Sequence, residues 1–433
     1  MQPKSTSTRL RAVAVGFAAV LSLTCAWAAD HKTVLYSFGN PPDGYGPFGN
    51  LIMDAAGNLY GTTGGGGVYC SPFYSCGTVF KLSRTEGGGW TEVVLHSFGS
   101  GNDGRSPNGS LIMDDDGNLY GTTSSGGVPG GGTAFKLSPD GNGGWTETVL
   151  YNFGGGNDGD YPDCGLLMDT AGNLYGSTLY GGAYGWGTVF ELSPNGSGGW
   201  TETVLHSFNY SSNDGHSPIG SLVMDAAGNL YGTTYNGGAF CQSTGCGTVF
   251  ELSHGEGGWT ETLLHSFNAN DGSGPEAGLV MDAAGNLYGT TFQGGNLGGL
   301  LCAPFGCGTV FEVSPVAGGG WTETTLYSFN GQPDAGYPQF SLILDTRGNL
   351  YSTTSMGGSD NYGTAFELSP RQGGWRETVL YSFELVNDGG PTSGLIIDRA
   401  GDLYGATSGG DEGLIYELIP GFICGTHCPS PEH

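Results

Sequence analysis

Seven copies of one short segment dominate this chain of 433 residues. The clearest copy is SLVMDAAGNLYGTT, Ser221 to Thr234, with relatives beginning at Leu51, Leu111, Leu166, Leu279, Leu342 and Leu395. Each reads as a β-hairpin: a short apolar strand ending in Asp, a turn containing Gly where the chain needs positive φ, and a second strand carrying Leu-Tyr. No helical periodicity competes with it. Repetition at this spacing fixes the architecture before any single residue is interpreted.

Two further pieces keep step with the hairpin. A segment reading TVLYSF at Thr33–Phe38 returns as VVLHSF before Gly99, TVLYNF before Gly154, TVLHSF before Asn209, TLLHSF before Asn268, TTLYSF before Asn330 and TVLYSF before Glu384. Another, GTVFELS or GTAFKLS, starts at Gly77, Gly132, Gly187, Gly247, Gly308 and Gly363 and survives as GLIYELI from Gly413. With the hairpin strands as A and B, GTVFELS is C and VLYSF is D. Four short antiparallel strands in each of seven repeats predict an all-β, seven-bladed β-propeller. A parallel β-helix would need a shorter and more regular coil. The mature chain starts on a D strand and its last copy ends after C, so that strand is expected to close the last blade and remove an open edge.

Residues 1–28 read as a secretory signal peptide: Lys4, Arg9 and Arg11, the apolar run Ala12 to Leu23, and the cleavage site Ala26-Trp27-Ala28. A lipoprotein signal on Cys25 fits less well, because Thr24 precedes it. Residues 29–420 form the expected propeller and 421–433 a tail. No later segment reaches the roughly 18 apolar residues of a membrane span. Loss of the leader's three basic residues moves the formal charge from −28 to −31. That balance excludes nucleic acid and anionic membrane surfaces as natural partners. With only 12% charged residues, the surface must be covered mainly by Gly, Ser, Thr and Asn.

The combination DGNLYGTT, GG, CGTVF and LYSF resembles the Gloeo_Verruco (GloVer) tandem-repeat family of exported bacterial proteins, across the whole mature chain. The resemblance implies a secreted or surface-anchored propeller-like protein, and no particular chemistry. The tail GFICGTHCPSPEH has neither apolar run nor basic cluster, so release is expected in preference to anchoring.

The chemistry-bearing residues mostly read as structural. His96, His206 and His265 share one slot with Tyr36, Tyr151, Tyr327 and Tyr381, an exchange that a catalytic base would not tolerate. The Asp ending each A strand, such as Asp54, Asp114 and Asp225, is expected to accept hydrogen bonds within its own turn instead of binding calcium. A second set, Asp43, Asp103, Asp158, Asp214, Asp271, Asp334 and Asp388, lies in the D-to-A crossings and is expected to fix them. The recurrent Trp of GGW-TET is expected to be a packing wedge in the C-to-D turn. Eight cysteines form close pairs, Cys70/Cys76, Cys241/Cys246, Cys302/Cys307 and Cys424/Cys428, read as local disulfides of an exported protein, with Cys164 left alone. No metal site or cofactor is read from the sequence.

What varies is the B-to-C loop. These loops carry Tyr69, Phe73, Tyr74, Tyr180, Tyr184, Trp186, Tyr235, Phe240, Phe305 and Tyr362 among Asn, Ser and Gly. Variable loops on a rigid scaffold are where binding resides. The expectation is a monomeric, exported, non-enzymatic propeller that binds an extracellular glycan or protein through this face. The alternatives are a polysaccharide lyase or hydrolase with a metal held by the crossing Asp ring in the central funnel, and a structural envelope component.

Overall fold

The computed structural model describes residues 31–39, 42–69, 76–154, 156–210, 213–241, 245–296, 302–410 and 412–420. Every regular element within them is a β-strand. The strands assemble into seven four-stranded antiparallel sheets in the order A-B-C-D. Blade 1 comprises Gly44–Met53, Leu59–Gly66, Thr78–Arg84 and Trp90–Ser97. Blades 2 to 6 occupy 112–152, 167–207, 223–266, 280–328 and 343–382, and blade 7 takes A to C from 396–419. Its D strand is His31–Ser37, which pairs with Leu414–Ile419 in the register Thr33↔Glu417 and Ser37↔Leu414. The closure expected from the order of the pieces is therefore made by the chain's own first described strand.

In a half-solvated sheet every second residue would face water. Here the B strands, LYGTT and its variants, are buried at all five positions in blades 2 to 7, because both faces of each blade are covered by neighbouring blades. Stacking also dictates the glycine within B. A Cβ on Gly61 would come within 2.6 Å of the Phe80 ring, and Gly121, Gly176, Gly232 and Gly289 clear the equivalent phenylalanines. Each such Phe meets the Phe that ends D of the preceding blade: Phe98 on Phe135 at 5.0 Å, Phe267 on Phe311 at 4.9 Å, and Phe38 on Phe80 at 5.1 Å across the closure. Edge-on pairs of this kind contribute about 0.5–1.5 kcal/mol each beyond their buried area.

The apolar interior is accordingly divided among the blade joints. One cluster joins Tyr60, Val79, Leu95 and Phe98 of blade 1 to Leu111, Leu119, Phe135 and Leu137 of blade 2. Equivalent clusters fill the other joints, including that between blades 7 and 1. The recurrent tryptophan sits one step further on than expected. Trp90 is the first residue of strand D, opposite Arg84, and not a turn residue. It packs half-buried against the cluster of its joint, so the wedge role holds.

Strand A is shorter than its sequence suggests, two residues in blades 2 to 7, such as Ile112–Met113. Its aspartate then folds back. In blade 1, Asp54 Oδ1 accepts from the N–H groups of Ala56 and Asn58, while Oδ2 accepts from the Asn58 amide at 2.7 Å and the Tyr60 hydroxyl at 3.0 Å. Burial raises the carboxyl's pKa, but these hydrogen bonds outweigh it and hold it below the usual range. The Asx reading of these residues is correct in each blade that keeps Asp-x-x-x-Asn.

Candidate functional site

Two connections share one face. Among the described residues, short two-stranded ladders tie four of the crossings to the start of the next B-to-C loop, as in Gly104–Arg105 with Ser125–Gly126 and Gly159–Asp160 with Tyr180–Gly181. The loop face is therefore hydrogen-bonded to the blades beneath it.

Its floor is built by the crossing aspartates. Asp43 accepts from the Tyr36 hydroxyl at 3.0 Å and from the N–H groups of Gly39 and Gly44. Asp103 meets His96 Nε2 at 3.1 Å, and Asp214 meets His206 Nε2 at 3.2 Å. Tyr151, Tyr327 and Tyr381 serve Asp158, Asp334 and Asp388. Tyrosine and histidine are interchangeable because either presents one donor to the same carboxylate. These crossing acids thus stand against the outermost strand, bonded to its Tyr or His, and are engaged in fixing the crossings.

Around the axis the segments leading into strand A approach closely. A Cβ on Gly109 would lie 2.5 Å from the carbonyl oxygen of Cys164, and one on Gly220 would lie 2.5 Å from that of Ala277. Cys164 is buried there as a free thiol, its Sγ 3.3 Å from the Ser177 carbonyl oxygen. Burial pushes that thiol's pKa up, which suits packing and not nucleophilic chemistry. The Asn50 side chain accepts from Gly394 N at 2.8 Å and its own N–H reaches Ser110 Oγ at 2.9 Å, linking blades 7, 1 and 2.

Between the axis and the loops, a depression of about 340 Å³ is lined by Tyr45, Ser106, Asn108, Ser124 and Tyr161. Tyr161 holds φ at 64°, and Ser106, Ser217 and Tyr337 occupy the equivalent pre-proline position at 55°, 60° and 57°. Left-handed backbone is costly for a bulky residue, and such outliers cluster where side chains are aimed for use. Sequence reasoning missed Tyr161 and Tyr337. The signal was available: tyrosine stands where blades 1 and 5 have glycine, Gly46 and Gly274.

The aromatic candidates separate into three groups. Tyr69, Tyr180, Tyr184, Phe240 and Phe305 are exposed by 58%, 49%, 56%, 51% and 61%. Tyr69 overhangs a cleft of about 710 Å³ that also reaches His96, Asp103 and Glu147. Tyr180 stands edge-on to Tyr161 at 6.1 Å. Trp186 is intermediate: it stacks on Tyr210 at 5.0 Å and leans on His216 at 4.9 Å. His216 is buried, which depresses its pKa and keeps the ring neutral under the tryptophan. Tyr210 and His216, absent from the expected set, belong to this cluster. Tyr235 and Tyr362 fold down as scaffold, Tyr235 against Gly274 and Tyr362 against the core joining blades 6 and 7. Phe73 and Tyr74 lie outside the described residues.

Loop geometry is further restrained by the disulfides Cys241–Cys246 and Cys302–Cys307, with Cα atoms 5.5 Å and 5.2 Å apart. Cys76 is also disulfide-bonded, and its expected partner Cys70 lies outside the described residues, as do Cys424, Cys428 and the expected signal peptide. No helix among the described residues is long and apolar enough to cross a membrane.

Comparison with known proteins agrees with this architecture. The family described as the Gloeobacter/Verrucomicrobia repeat matches residues 19–168, 71–299 and 242–421. No curated protein matches the sequence. Among solved structures, the fold is similar to the crystal structure of the extracellular domain of BT4673, described as a hybrid two component system, from B. thetaiotaomicron, with a TM-score of 0.53 at 11% identity. The match covers 89% of this chain and 39% of that one, so this chain spans well under half its length.

Proposed function

Given that this chain belongs to the Gloeobacter/Verrucomicrobia repeat family, we propose that it is an exported, non-enzymatic propeller that captures an extracellular glycan or protein on its B-to-C loop face. One observation carries the reading. Among the described residues, the aromatic side chains exposed by more than about a third are Phe48, Tyr69, Tyr180, Tyr184, Trp186, Tyr210, Phe240 and Phe305, and all except Phe48, which stands in strand A of blade 1, lie in B-to-C loops or D-to-A crossings. The opposite face, made of A-to-B and C-to-D turns, is covered by repetitive polar sequence. Exposed rings are costly in water, and their segregation to one face is the pattern of a docking surface.

Flat rings beside asparagine and serine donors suit the apolar faces of sugars as well as anchors on a protein. The rings stand on loops stitched by disulfides and crossing ladders, so little ordering entropy is lost on binding. The disulfides also argue for an oxidising compartment, and the similar solved structure is described as an extracellular domain.

A glycan array and a pull-down with the mature protein would identify the ligand. Replacing Tyr184 and Tyr180 with alanine should weaken its capture at least tenfold with an unchanged melting temperature. Trp186→Ala should weaken capture and also lower stability, since that ring covers His216. Undiminished capture by all three variants would remove the loop face from the site.

A further inference from the structure

We propose that His265, Asp271 and Glu323 form a binding site for one divalent transition-metal cation of the zinc class, set between the outer strands of blades 4 and 5. His265 comes from strand D of blade 4, Asp271 from the crossing and Glu323 from strand D of blade 5. One ligand atom from each lies within 4.8 Å of the others.

The site departs from the repeat on both sides. At the equivalent joints His96 and His206 are hydrogen-bonded to their aspartates at 3.1 Å and 3.2 Å. His265 Nε2 lies 3.4 Å from Asp271 Oδ2, but it is buried and makes no hydrogen bond. Its ring is held edge-on to Phe267 at 4.7 Å, which aims that nitrogen into the joint.

The glutamate differs as well. In blades 1, 2, 3, 4 and 6 the corresponding Glu92, Glu147, Glu202, Glu261 and Glu377 each leave a buried Oε1 without a partner. Only in blade 5 does a polar residue, Thr325, stand where the others carry Val94, Val149, Val204, Leu263 and Val379. Its hydroxyl donates to Glu323 Oε1 at 3.0 Å and fixes the carboxylate. Asp271 is fixed in turn by the Asn268 N–H at 2.8 Å and by the Asn268 amide. Anchoring of ligands by outer groups is what distinguishes a metal site from a chance cluster.

Charge balance points the same way. Two carboxylates share a joint where, among the described residues, neither is ion-paired with lysine or arginine. One imidazole nitrogen with two carboxylate oxygens suits zinc or manganese, whereas calcium takes six to eight oxygens. The histidine and aspartate side chains are 19% and 17% exposed, leaving room for water to complete the coordination.

The test titrates the chelator-treated mature protein with Zn²⁺ against a chromophoric competitor, with Ca²⁺ in parallel. One equivalent of zinc, a raised melting temperature and preference over calcium are expected. His265→Tyr installs the residue that other blades carry at this slot, so it should fold normally and lose zinc affinity roughly tenfold or more. Thr325→Val restores the repeat and should weaken binding, while His206→Tyr should leave it unchanged. The site is overturned by no zinc uptake, by preference for calcium, by wild-type affinity in His265→Tyr, or by equal loss in His206→Tyr.

Discussion

At the scale of residues, the molecule distributes acids into environments that shift them in opposite directions. Glu92, Glu147, Glu202 and Glu377 are pushed up to about 7, first by burial and then by the crossing aspartate of the preceding joint. A raised folded-state pKa means that the native protein binds the proton more tightly than the unfolded chain. The stability it confers is complete below about pH 4.5 and lost as pH rises through about 7. The turn aspartates Asp54, Asp114, Asp169, Asp225, Asp282 and Asp345 behave oppositely. Despite burial their hydrogen bonds lower the pKa, so their contribution is present above 3.8 and lost in stronger acid. In chelator, the melting temperature should therefore be higher at pH 5 than at pH 8, and changing Glu92, Glu202 and Glu377 to Gln should flatten that slope. A melting temperature that climbs steadily from pH 5 to pH 8 would show these glutamates to be ionised and satisfied. The turn aspartates were legible in the sequence, because Asp, Asn and Tyr recur together within six residues. The glutamates were not. Their partners stand a whole blade away, and in the sequence each is only the Glu two residues after the recurrent Trp.

At the scale of elements, strand D of blade 7 carries the closure. Lys32 is buried in an ion pair with Asp388, a crossing aspartate that also takes the Tyr381 hydroxyl. Removing one member of a buried pair strands the other, so Lys32→Met should cost about 3 kcal/mol by denaturant unfolding. Deleting residues 31–37 should do more, exposing the Leu414–Ile419 edge and promoting aggregation. An unchanged unfolding curve for the deletion would contradict strand exchange. The order of repeated pieces revealed this pairing, although the ion pair itself spans nearly the full chain and has no local signature. The loop disulfides matter less to global stability. Each spans a sequence separation of 5, and so short a loop restricts the unfolded chain by only about 2 kcal/mol. Cys241→Ser with Cys246→Ser should lower the unfolding free energy by no more than that, and a loss of cooperative folding would refute a merely local role.

For the whole molecule, seven joints of nearly equal construction make a scaffold on which one face is free to vary. Blade number, strand order and the identity of the variable face could be read directly, since repetition exposes whatever departs from it. The division of the loop aromatics could not. Tyr235 and Tyr184 look alike in sequence, yet one lies against Gly274 and the other stands 56% exposed. The packing of Trp186 on Tyr210 and His216 joins residues of two different connections, held together where the Ser217 N–H donates to the Trp186 carbonyl oxygen at 3.0 Å. On the proposed function, the face bearing the exposed rings is the binding face. Hydrogen exchange of the mature protein with and without its captured ligand tests it most directly. Protection should be confined to the B-to-C loops and crossings, strongest around residues 180–186 and 236–240. Protection of the A-to-B and C-to-D turns, with the loop face unaffected, would contradict it.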